Sequence, residues 1–254
     1  MRARLIALWL CIGACGGAGD DVDVDAYAEL HHARQSLAAA TVLADLAQPL
    51  AQPTAAEASM AQLLQGYERK MPCATVRSAG GMARMRLNEP CAPQGRDLSG
   101  RFTLTQTKQA GALSQELLVD GVQQGGLSVD GQAEVSVLGQ ALGLDATLVV
   151  TEAYLMSEHL ISARLQPSSA GLRLDGEAML DDGRVARHLS FEGLLIGHGL
   201  CHPSAGEVRV EAQGQPTVTL RFSGLDRGAH TLEFQVGAGP PERLSLPPCP
   251  ADTN

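Results

Sequence analysis

His198-Gly199-Leu200-Cys201-His202 puts three metal-capable side chains into five residues. Its glycines and the following Pro203 make it a loop or strand end, and Cys201 is also a disulfide candidate, so no metal centre is expected there. His31-His32 is a second imidazole pair. Adjacent residues on a helix point in different directions, so these two rings do not chelate one ion alone and read as surface histidines. Asp181-Asp182 would suit paired-carboxylate chemistry, but Gly183 follows, and a hairpin turn accounts for both. No G-x-S-x-G elbow and no G-x-x-x-x-G-K-S/T phosphate loop occurs in the chain. The spacing therefore predicts no catalytic residue, no metal ligand and no cofactor, and the chain does not read as an enzyme.

The thiols carry more information. Met1-Arg2-Ala3-Arg4 is positive, and Leu5 to Ala14 is apolar for only 10 residues. A membrane-spanning helix needs roughly 20. A charged start, a short apolar core and a small-residue end fit an export signal. Ile12-Gly13-Ala14-Cys15 resembles the lipobox of bacterial lipoproteins. The resemblance implies cleavage before Cys15, a diacylglycerol on its thiol and acylation of the freed amine. Cys11 follows the bulky Trp9-Leu10, fits a small-residue cleavage site poorly, and falls within the discarded segment.

Residues 1–14 are thus read as a lipoprotein signal peptide, and 15–25 as an acylated, flexible, acidic tether. The aspartates at 20, 21, 23 and 25 lack the glycine and distal glutamate of a calcium loop. Gly16 stands where an aspartate would favour inner-membrane retention, which resembles outer-membrane sorting. The expected location is the cell envelope, on the periplasmic or surface side of the outer membrane. The expected partner is the bilayer, through acyl chains on Cys15.

Cys73, Cys91, Cys201 and Cys249 remain in the exported part. An even number in an oxidising compartment suggests two disulfides. Three pairings are open. Cys73–Cys91 and Cys201–Cys249 are preferred, because each pair brackets strands that can fold back. Cys91-Ala92-Pro93-Gln94-Gly95-Arg96-Asp97-Leu98-Ser99-Gly100-Arg101-Phe102 also resembles a pattern of exported β-rich bacterial lipoproteins of unknown function, and Cys201-His202-Pro203 looks like a later element of that kind. The resemblance implies location and architecture, and no activity.

Composition narrows the partners. The net charge is −9, and loss of Arg2 and Arg4 with the signal makes the remainder more acidic. That excess, with an aromatic content of 3%, argues against nucleic acid. Basic residues are uneven: eight Lys or Arg and only Glu89 and Asp97 lie between Arg69 and Lys108. This is either an anion-binding face or, the preferred reading, a solvated strand surface.

Elements follow from periodicity. Residues 26–70 read as a helical hairpin. Leu30, Leu37 and Ala44 recur every seven residues up to Pro49, and a Thr54–Glu57 capping box opens a second helix with Met60, Leu63, Leu64 and Tyr67 on one face. Residues 71–254 read as an antiparallel β domain. Phe102 and Leu104, Val208 and Val210, Val218, Leu220 and Phe222, and Leu232, Phe234 and Val236 alternate with polar residues. Asp-Gly at 120–121, 130–131, 175–176 and 182–183 suggests hairpin turns. The octapeptide at 126–133 echoes the one at 171–178, a spacing of 45, as two similar hairpins would.

The fold expected is mainly β with a small α part. It is an antiparallel meander of about 8–11 strands, curled or half-barrel-like, with the N-terminal helices over it. Two functions fit. One is a non-catalytic structural or interaction lipoprotein of the envelope, with a protein partner. The other is a carrier for a lipid or other apolar ligand held between sheet and helices.

Overall fold

The computed structural model describes residues 24–50, 59–91, 98–109, 112–138, 140–153, 155–197, 202–226 and 229–246. Helix α1 (Val24–Ala47) runs into a 3-10 turn (Gln48–Leu50), and helix α2 (Met60–Lys70) follows. Thirteen strands come next: β1 (Ala74–Ala79), β2 (Met82–Cys91), β3 (Leu98–Gln109), β4 (Ala112–Gln124), β5 (Leu127–Leu138), β6 (Ala141–Glu152), β7 (Leu155–Ser168), β8 (Gly171–Asp181), β9 (Ala186–Gly197), β10 (Ala205–Ala212), β11 (Val218–Asp226), β12 (Ala229–Val236) and β13 (Glu242–Ser245). They pair antiparallel in strict sequence order, and β1 does not pair with β13. The protein is a mainly β chain built on one open antiparallel meander with N-terminal helices.

The sheet curls around α1, which touches every strand from β4 to β11. Residues 39–50 are all buried, whichever side of the helix they occupy. A helix buried on all sides is enclosed by its neighbours, and the alanines at 33, 39, 40, 44 and 47 let strands approach it closely. The helix therefore lies within the concave side of the sheet and does not cover it as a lid. The alternating apolar residues of the strands point inward: Phe102, Leu104, Val208, Val210, Leu220 and Phe234 join α1 in a single core. Helix α2 rests on β1, β2 and the 3-10 turn. The Tyr67 hydroxyl donates to the Leu46 carbonyl at 2.7 Å and ties the two helices. Its cap is Ser59 with Gln62, a reciprocal box in which the Ser59 amide donates to the Gln62 side chain at 2.8 Å. Thr54 and Glu57 lie outside the described residues.

The Asp-Gly pairs require a correction. Only 182–183 sits at a hairpin turn; the other three lie within β4, β5 and β8. The register slips by one residue where Asp120-Gly121 opposes Asp130, and again where Glu192-Gly193 opposes Asp175. Gly121 and Gly193 have φ of 61° and 58°, the left-handed region that glycine enters freely. Each donates its amide to the opposing aspartate, Gly121 to Asp130 at 2.7 Å and Gly193 to Asp175 at 2.6 Å. The octapeptide echo is thus a repeated bulge receiver. Bulges bend a strand and raise its twist, which lets the sheet wrap a helix. Hairpin turns fall instead at Gly80-Gly81, Gly125-Gly126 and Ser169-Ala170, among other places, giving more strands than expected.

Gly131, next to Asp130, has φ of 136°, and a β-carbon there would drive into the Thr147 carbonyl of β6. Gly131→Ala is expected to lower unfolding stability by about 2–4 kcal/mol, measured by urea denaturation. A loss within ~0.5 kcal/mol would refute the close approach of β5 and β6.

Candidate functional site

The first half of α1 is polar, although it too enters the sheet. Glu29, His32 and Ser36 follow one another along one side at helical spacing; His31 and Arg34 share another, with Gln35 between. Three neighbouring parts of the sheet, in the middle of the meander, meet these sides along one rim. Glu152 closes β6, Ser157 and His159 open β7, and Asp182 and Arg187 flank the β8–β9 turn.

Arg187 is the centre of the first group. Its Nε donates to both Glu29 oxygens at 2.9 and 2.8 Å. Its Nη1 donates to Asp182 Oδ2 and to the Val185 carbonyl, both at 2.9 Å. His32 Nε2 stands 3.5 Å from Asp182 Oδ2. Burial, then the nearby Arg187 and His31, lower the His32 pKa to about 4 against the pull of Asp182. Burial pushes the Asp182 carboxyl up. Hydrogen bonds from the Val185 and Arg184 amides, with Arg187, outweigh it and hold the group at about 2.

The second group joins Arg34 to Glu152, whose other oxygen is 3.5 Å from His31 Nε2. Burial lowers the His31 pKa, and Glu152 only partly opposes it.

The third is uncharged. Ser157 Oγ donates to Gln35 Oε1 at 3.2 Å and lies 2.8 Å from His159 Nε2; Ser36 Oγ lies 3.0 Å from His159 Nδ1. One proton arrangement satisfies all three contacts. The Ser157 hydroxyl proton goes to Gln35, His159 Nε2–H donates to Ser157, and the Ser36 hydroxyl donates to Nδ1. The tautomer is assigned on that basis. His159 is paired across the sheet with Leu148 and Leu180, and burial, then the charge of His32, lowers its pKa to about 4.

A serine within 3.0 Å of an imidazole is the spacing of a nucleophile and its base. Here the orienting partner of the imidazole is Ser157, which is tied to Gln35. Ser36 and His159 are both 0% exposed, so a substrate could reach them only if α1 moved. The arrangement as built is a seam that holds α1 in the sheet.

The residues singled out by sequence fall as follows. Asp181-Asp182 does stand at a hairpin turn. His31 and His32 are not surface histidines but half-buried members of the seam, each facing a carboxylate. Cys73 is half-buried just before β1, its carbonyl accepting from Asn88, and Cys91 ends β2. Cys15, His198, Cys201 and Cys249 lie outside the described residues. Among the described residues no three His, Cys, Asp or Glu side chains are placed so that they could hold a metal ion, and no helix is long and apolar enough to cross a membrane.

Sequence reasoning did not bring Ser36, Ser157 and His159 together. A signal existed, since Ser157 and His159 break the inward apolar run that continues through Ile161, Ala163 and Leu165.

An open depression of 560 Å³ lies on the convex face, lined by Ser136, Asp145, Ser162, Arg164, Asp175 and Glu177 among others. Ser162 is tied there to Asp145 at 2.8 Å. It lies on the far side of the sheet from α1. No family model matches this chain, and neither the curated proteins nor the solved structures contain a match to it.

Proposed function

We propose that the protein is a non-catalytic lipoprotein of the cell envelope, tethered through acyl chains on Cys15, with a structural or interaction role. One observation favours a structural or interaction role over that of a carrier. The concave side of the sheet, where a carrier would hold an apolar ligand, is occupied by the protein's own helix, buried continuously over residues 39–50. The buried seam then fixes that helix in place. Function is left to the outer surface.

The lipid anchor rests on the lipobox resemblance at 12–15 and on the acidic stretch after it. Outer-membrane placement and the disulfides belong to the same reading. For the Cys73–Cys91 pairing, support comes from the even number of cysteines left in the exported part. The β1–β2 hairpin adds to it, since it sets Asn88 beside Cys73 and ends three residues later at Cys91.

Intact mass and membrane fractionation of the exported protein, beside Cys15→Ser, test the anchor. The expected wild type is acylated and sediments with membranes, and the variant does neither. The same masses, read before and after reduction, count the disulfides. An unmodified wild type in the soluble fraction overturns the reading.

A further inference from the structure

The basic stretch from Arg69 onward is assembled by the sheet into one exposed face. In the register of β1, β2 and β3, Arg77 lies opposite Arg84, and Arg86 lies opposite Arg101. All four side chains are exposed, and all lie on the face of the sheet away from the core residues Ala83, Met85, Leu87 and Phe102. Cross-strand neighbours stand about 5 Å apart, and residues two apart on a strand about 7 Å. The guanidinium groups thus issue from a staggered step across three strands, Arg77 beside Arg84 at one level and Arg86 beside Arg101 at the next. Arg101 pairs with Asp120 at 2.9 Å, while Arg77, Arg84 and Arg86 form no ion pair among the described residues.

This arrangement costs stability. Like charges directly opposite each other on a sheet repel, and here two such pairs adjoin in a chain of net charge −9. Charged residues do protect an edge strand from pairing with other chains. That accounts for Arg77 on β1, but not for Arg84, Arg86 and Arg101 on the interior strands β2 and β3. The face has no aromatic ring on which a base could stack. It is also the outer face of a curled sheet, so its arginines do not converge on one small anion; each meets a separate phosphate. Met82 and Leu118, 40% and 49% exposed, lie on the same face and offer apolar contact at an interface.

We propose that this arginine face is a membrane-contact surface for the phosphate groups of anionic phospholipids, a second attachment besides the acyl anchor. A lipid chain reinforced by a basic patch holds more firmly than either alone. The proposal rests on the envelope location for its bilayer, and on the arginine face alone for its chemistry.

The test uses the full chain bearing Cys15→Ser, with and without Arg84→Gln plus Arg86→Gln, and vesicles of phosphatidylcholine with or without phosphatidylglycerol. Arg2 and Arg4 are common to both chains, so the comparison isolates the sheet. The chain should bind the anionic vesicles and release on addition of salt, and the double replacement should weaken binding about 30-fold, at about 1 kcal/mol per arginine. The variant's thermal midpoint should hold or rise, since repulsion is removed. Equal binding to neutral vesicles, or unchanged binding by the variant, overturns the proposal. Displacement by millimolar inorganic phosphate also overturns it, and reassigns the face to a soluble anion. A wild type found unacylated in cells removes the anchor but leaves the vesicle result standing.

Discussion

Replacing Arg187 with methionine should lower the unfolding free energy by about 3–5 kcal/mol, measured by urea denaturation at neutral pH. Arg187 is 6% exposed and Glu29, which takes both hydrogen bonds from Nε, is 4% exposed. The native pair is not itself a large source of stability, because desolvating two charges offsets most of their attraction. The asymmetry arises on removal of one member. Methionine fills much of the space but leaves Glu29 buried without its donor, and leaves the Val185 carbonyl without its partner. Glu29 must then bind a proton or draw α1 out of the sheet.

The double replacement Arg187→Met with Glu29→Gln should recover part of the loss, and the difference across the cycle measures the coupling. Arg101→Gln is the contrast. Its partner Asp120 is exposed, and the change should fall within ~0.5 kcal/mol. A loss below ~1 kcal/mol for Arg187→Met would mean that α1 is not held by this seam.

The strands were legible because alternation survives in one line of text. Val218, Leu220 and Phe222 face inward as their spacing requires. The helices were legible from alanine and leucine spacing. What the periodicity of α1 could not tell is that no face of it is free. Its stripe is one side of a helix buried on all sides, and only the number of strands wrapping it decides that. The Asp-Gly pairs misled because the positive φ that suits a tight hairpin also suits a bulge. Asp130-Gly131 and Asp175-Gly176 were placed within strands by partners 9 and 18 residues away in sequence. The seam was hidden for the same reason. Ser36 and His159 are separated by 123 positions, and nothing local marks them as neighbours. The basic stretch was visible as composition, but its exposure on one face depended on strand register.

Acidification should destabilise the protein continuously from about pH 6.5 downward, through the buried histidines. His32 and His159 each have a folded pKa of about 4 against 6.5 in the unfolded chain. Between those values the unfolded state binds more protons, so stability rises with pH there and is lost as pH falls. Each histidine adds a slope of at most about 1.4 kcal/mol per pH unit, and the full displacement of His159 is on the order of 3 kcal/mol. Asp182 extends the trend. Its folded pKa of about 2 lies below its ordinary 3.8, so its contribution is present above 3.8 and fades as pH falls through 2.

The main cause for both histidines is burial and not a charge partner. Salt therefore screens the effect little, unlike that of a surface ion pair. His159→Gln keeps a donor and an acceptor for Ser157 and Ser36 but cannot titrate. Urea unfolding at several pH values between 4 and 8 should show the variant with a shallower slope, by about one proton's worth, and little salt dependence in either chain. An unchanged slope would mean that His159 is hydrated or already charged in the folded protein. The Ser36–His159–Ser157 contacts would then not be the dry seam that pins α1, and access to the Ser36–His159 pair would become a live question for catalysis.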